Sequence, residues 1–174
     1  IDGSQCFSNI DLGVLNDIIQ LNNLEGLSAI NLGTQNWFNG HITRLTIGNF
    51  YDGGNVTLTT LPESIGDFPN IAILYLNYNE LISLPDSITN LTNLIYLVLS
   101  FNQLTHLPEN IGNLSNMIWL DLGYNSIEYL PGSIGDFSII QYLWIFNNQL
   151  SSLPESICNL NLDWNSLDNN FLPY

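Results

Sequence analysis

Apolar positions recur along this chain in two rhythms, one of period two and one of period 23. Written in rows of 23, the middle of the sequence reads LPESIGDFPNIAILYLNYNELIS (61–83), LPDSITNLTNLIYLVLSFNQLTH (84–106), LPENIGNLSNMIWLDLGYNSIEY (107–129) and LPGSIGDFSIIQYLWIFNNQLSS (130–152), and a fifth row starts LPESICNL at Leu153. In each row Leu74/Leu76, Leu97/Leu99, Leu120/Leu122 and Leu143/Ile145 alternate with other residues, which predicts a short strand with one buried side. Equivalent strands are expected to stack in parallel about 4.8 Å apart. A second apolar set, Leu84/Ile88/Leu91 and Leu107/Ile111/Leu114, closes the core from the far side, and Phe68 and Phe137 take the Leu91 position. Pro85, Pro108, Pro131 and Pro154 open that return segment, where a fixed φ helps and a missing N–H does no harm. Asn79, Asn102, Asn125 and Asn148 follow the strands and are expected to turn inward, bonding backbone groups that burial would otherwise leave unpaired.

The recurring L-x-x-L-x-L-x-x-N-x-L core resembles the leucine-rich repeat, in the form found in bacterial secreted or surface proteins and plant-type domains. That resemblance implies an α/β repeat solenoid: a horseshoe with a parallel concave sheet, a helical N-terminal cap and a short irregular C-terminal cap. One domain is expected over 1–174, with a cap at 1–41, a first irregular repeat at 42–60, four regular repeats at 61–152, and a last partial repeat and cap at 153–174. Caps are needed because a stacked array exposes its core at both ends. Ile10, Leu12, Leu15, Ile18, Ile19 and Leu21 have helical spacing, and GTQNWFNGHITRL is similar to the W-x-x-G-x-[IV]-T-x-L entry of such proteins. At the other end ICNLNLDWNSLDNNFLPY resembles a closing cap, but Leu172 runs into Pro173 where relatives place a cysteine, leaving Cys158 without its expected partner. Ile42 precedes Ile71 by 29 residues instead of 23, and the extra segment FYDGGNV reads equally as a projecting contact loop or a tolerated insertion.

Composition narrows the function. Sixteen acids face one arginine, Arg44, and no lysine, for a net charge of −15. Such a chain cannot neutralise phosphates, so nucleic acid is excluded, and anionic lipid heads would repel it. Hydrophobic content of 45% is too high for disorder, yet no run approaches the eighteen apolar residues of a membrane span, so membrane insertion is not expected. The start at Ile1, two cysteines, near-absence of basic residues, and Asn-x-Ser/Thr triplets at Asn55, Asn90 and Asn113 point to an extracellular or cell-surface setting. Cys6 and Cys158 lie in opposite caps, roughly 20–25 Å apart at strand spacing, beyond the reach of one disulfide. Free thiols, partners in a longer protein, and head-to-tail pairing into a filament remain open, the last making the chain itself a partner.

The concave face carries the binding prediction. The polar-phase positions of the strands and the turns after them hold Arg44, Tyr75, Tyr78, Tyr96, Phe101, Trp119, Asp121, Tyr124, Tyr142, Trp144 and Phe146. Tyr96, Trp119 and Tyr142 share one column on consecutive coils, and Tyr78, Phe101 and Tyr124 share another, so rings about 5 Å apart should form an aromatic surface. Such a surface exceeds what soluble monomers normally leave bare. It suits a protein or peptide, or sugar rings whose hydroxyls would bond Asn77, Asp121, Gln141 and Asn147; cross-strand stiffening alone is the competing explanation. Catalysis needs a converging nucleophile and base, whereas His41 and His106 read as separate surface residues and Asp121 is the single concave acid, so no enzyme activity is expected. The outer carboxylates Glu63, Asp86, Glu109 and Glu155 form a column that could hold Ca²⁺. Repulsion under about 1 kcal/mol per pair in water requires no ion, so no metal and no cofactor are assigned.

Overall fold

A computed structural model describes residues 6–48, 56–160, 164–168 and 170–172, with only the backbone of 164–166. Most of the FYDGGNV insertion, together with Asn49, Asn55 and Pro173, falls outside these residues.

The chain opens with helix α1 (Asn9–Leu21), capped by the Ser8 hydroxyl, which accepts from the Asp11 N–H at 3.4 Å. This helix buries Val14, Leu15, Ile18 and Ile19 against the first coil, while Ile10 and Leu21 at its two ends face solvent. Asn22 ties it to the array: its Nδ2 donates to Ile18 O and Thr60 O, and its Oδ1 accepts from the N–H of Thr59 and Thr60. Strands β1 (Thr34–Phe38) and β2 (His41–Thr46) form an antiparallel hairpin. Asn39 and Gly40 turn between them with φ of 50° and 81°, the left-handed pair that a two-residue hairpin demands.

From β2 onward the sheet is parallel and open, continuing through β3 (Ile73–Tyr75), β4 (Tyr96–Val98), β5 (Trp119–Asp121), β6 (Tyr142–Trp144) and β7 (Trp164–Ser166) in sequence order. The register aligns Ile73, Tyr96, Trp119 and Tyr142, 23 residues apart, and then Trp164 after only 22. Single 3₁₀ turns, such as Asp86–Asn90 and Gly132–Asp136, carry each coil back along the far side behind its proline. Leu74, Leu97, Leu120 and Leu143 from the strands meet Ile65, Ile88, Ile111 and Ile134 from the turns in one continuous core.

The asparagines supply the polar framework of that core. Asn102 donates to Leu76 O and Leu99 O at 2.9 Å each and accepts from Leu81 N–H at 3.0 Å. Asn79, Asn125 and Asn148 repeat the pattern, each bonding its own coil and the preceding one. A fifth rung, Asn170, bonds Ile145 O, Leu167 O and Leu150 N–H. With β7, it extends the solenoid by a further coil into the segment whose sequence resembles an irregular cap.

Candidate functional site

Two aromatic columns run along the concave side, built from different backbone states. The first comes from the strands: Tyr96, Trp119 and Tyr142 are register partners, with centroids 6.3 and 5.3 Å apart and rings tilted by 57° and 44°. All three are half-buried. The second comes from the turns just after the strands, where Tyr78, Phe101 and Tyr124 stack nearly parallel, with centroids 4.4 and 4.2 Å apart and interplanar angles of 8° and 13°. Phe146 closes this ladder edge-on, 5.4 Å from Tyr124 at 89°. Trp144 joins the columns, its ring 4.6 Å from Trp119 and 6.2 Å from Phe146. At the other end Arg44 lies over the Tyr75 ring at 5.0 Å, a cation–π contact. The expected aromatics therefore do come together.

The ladder residues are strained. Tyr78, Phe101 and Tyr124 have φ of 58°, 57° and 54°, in the left-handed region where side chains other than Gly, Asn and Asp cost about 1–2 kcal/mol each. The next equivalent position carries a tolerant residue: Asn147, at φ 54°, follows Tyr124. Stacked aromatic pairs return about 0.5–1.5 kcal/mol apiece. Strain and stacking thus nearly cancel, and the three rings still leave 40%, 38% and 45% of their surface exposed.

Between the columns runs a strip of small and polar residues: Asn77, Val98, Ser100, Asp121 and Gly123. Asp121 had been expected to offer an exposed carboxylate, but only 7% of it reaches solvent. It accepts from the Gly123 N–H at 3.0 Å, and burial pushes its carboxyl up from the usual 3.8, opposed by the bonds from Gly123 and the Ser100 hydroxyl. A Cβ at Gly123 would stand 2.8 Å from Cζ of Phe146, so a larger residue there would displace that ring. Asn77 Oδ1 and Trp119 Nε1, both shielded from water, have no hydrogen-bond partner among the described residues. That leaves one acceptor and one donor unmet on the same face.

The remaining chemistry-bearing residues are scattered. His41 begins β2, and its Nδ1 lies 3.0 Å from the buried carboxylate of Asp11, an acid of the cap helix α1 and not of the repeats. Asp11 also accepts from Ile42 N–H at 2.6 Å, so the group pins the cap helix to the hairpin. His106 stacks on Tyr129 on the outer side, near a shallow 380 Å³ groove that includes Glu63 and Asp86. Among the described residues no three His, Cys, Asp or Glu side chains are placed to hold a metal ion. Cys6 and Cys158 are free and exposed. No described helix is long and apolar enough to cross a membrane.

A family model for the leucine-rich repeat matches residues 96–150. The chain is a leucine-rich-repeat protein. Among solved structures it is similar to a leucine-rich-repeat protein of Leptospira interrogans, with 34% identity over 68% of this chain and 31% of that one and a TM-score of 0.63. It is also similar to the ectodomain of the plant receptor kinase GASSHO1/SCHENGEN3 from Arabidopsis thaliana, solved with CASPARIAN STRIP INTEGRITY FACTOR 2; identity is 30%, coverage 65% and 14%, and the TM-score 0.61. The ectodomain of the Arabidopsis thaliana receptor kinase SOBIR1 shares the fold over 95% of this chain and 96% of its own, at 24% identity and a TM-score of 0.72. This chain thus spans less than a third of the length of the first two. No curated protein matches it. These comparisons indicate no enzymatic family and a fold consistent with protein binding.

Proposed function

We propose that this leucine-rich-repeat domain is a non-enzymatic extracellular recognition module that binds a protein or peptide across its concave face. Tyr75, Tyr78, Tyr96, Phe101, Trp119, Tyr124, Tyr142, Trp144 and Phe146 supply the contact area, with Arg44 and Asp121 as its charged members. The observation that carries this reading is the Tyr78/Phe101/Tyr124 ladder, which stays exposed on a left-handed backbone whose strain its stacking does no more than offset. Tyrosine and tryptophan are also the side chains enriched where binding energy concentrates.

Stacking favours a polypeptide over a sugar. In a near-parallel ladder each ring's faces are covered by its neighbours, so the edges turn outward, whereas a sugar's C–H face needs an open ring face. An array carrying both peptides and glycans, probed with the purified chain, tests the reading. Peptide spots are expected to bind, and Trp119→Ala to weaken them at least tenfold; binding confined to glycans, or unchanged in Trp119→Ala, would refute it. Sedimentation under oxidising conditions reads self-association of the same sample.

A further inference from the structure

Asp121 has a charge without a counter-charge. Its carboxylate is nine-tenths buried and bonded only to the Gly123 amide and the Ser100 hydroxyl, and no cationic group among the described residues lies within ion-pair reach of it. Nor does the chain hold another basic residue to send there. Arg44, its sole arginine, is occupied over Tyr75 on β2, three strands and roughly 14 Å from β5, and there is no lysine. Beside the carboxylate stand the tilted rings of Trp119 and Trp144, which attract a cation through their faces and pack against an aliphatic stem. The net charge of −15 adds a long-range pull on any basic partner.

We infer that the strip between the aromatic columns is a subsite for a basic side chain, an arginine or lysine of an extended peptide, with its charge on Asp121 and its stem against Trp119 and Trp144. The inference rests on the peptide-recognition reading above and adds to it the chemistry of the residue recognised. A polypeptide is the occupant because the neighbouring ladder turns ring edges outward and lacks the open ring faces a sugar needs.

Panning random eight-residue peptides displayed on phage against the whole chain, at physiological ionic strength so that diffuse attraction is screened, tests it. Wild type is expected to enrich peptides with Arg or Lys at one fixed position. Replacing that residue by norleucine in a synthetic copy should weaken binding about 30-fold, equal to about 2 kcal/mol at 1.4 kcal/mol per tenfold. Asp121→Asn, which keeps an acceptor for the Gly123 amide, should bind the basic and norleucine peptides equally, while Glu109→Gln on the outer side should still discriminate. Peptides enriched without a basic position, or discrimination undiminished in Asp121→Asn, would overturn the subsite and leave peptide recognition standing. No enrichment at all would overturn both. Should Asp121→Asn fail to fold, the norleucine peptide on the wild-type chain decides: unchanged affinity there sinks the inference.

Discussion

Each regular coil ends its strand with two adjacent residues used in opposite ways. Asn79, Asn102 and Asn125 point inward, and each satisfies at least three backbone groups. Tyr78, Phe101 and Tyr124, one residue earlier, adopt a backbone their side chains disfavour and present ring edges to solvent. Both ladders share the repeat's period, so the fold requires that some residue stand at each position. Only the asparagine chemistry is dictated by the fold; at the neighbouring position Asn147 shows that a tolerant residue serves the backbone as well. Periodicity alone therefore does not separate scaffold from surface, whereas hydrogen-bond satisfaction and backbone strain do.

Breaking the inner ladder should have the larger effect on stability. Asn102→Ala leaves Leu81 N–H unpaired and takes one of two asparagine bonds from each of Leu76 O and Leu99 O; at about 1–3 kcal/mol for the orphaned N–H and about 0.5–1.5 kcal/mol per lost bond, the expected loss is at least about 2 kcal/mol, read by denaturant unfolding. Asp121→Asn separates the strip from both ladders. Burial raises this carboxyl's pKa above 3.8, so the fold favours its protonated form; the stability so conferred is complete below 3.8 and disappears as pH rises through the raised value. The neighbouring strands bring no other carboxylate and no histidine near it. Unfolding curves should accordingly find Asp121→Asn more stable than wild type at neutral pH and equal to it well below 3.8. Phe101→Asn should change least, within about 1 kcal/mol of wild type, because relief of strain offsets the lost stacking.

Much of this was legible in the sequence because it follows from a repeated spacing. The 23-residue period places Tyr96 beside Trp119 and Tyr78 beside Phe101 without further information, and the inward asparagines follow from their position after each strand. What escaped has identifiable causes. Asn39-Gly40 carries the signature of a tight hairpin, yet the strand before it was read only as part of a cap motif. Trp164 and Asn170 sit at an interval of 22 instead of 23, so a fixed frame reads the last coil as irregular. Asp121 is buried where Phe146 of the next coil approaches Gly123, a proximity between adjacent coils that no single row reveals. The Asp11–His41 pair joins a helix to a strand thirty residues on and belongs to no repeat. Left-handed backbone at three aromatic positions has no sequence signal, since it is the aromatics that violate the usual preference.

The account stands on the claim that the exposed ladder exists for contact and not for stability. The most direct test replaces it whole: Tyr78→Asn, Phe101→Asn and Tyr124→Asn combined in one chain, whose affinity for an array-selected peptide is measured alongside its melting temperature. A melting temperature within roughly 5 °C of wild type, with affinity down at least about a hundredfold, is the expected result. Undiminished affinity, or a chain that no longer folds, would contradict it.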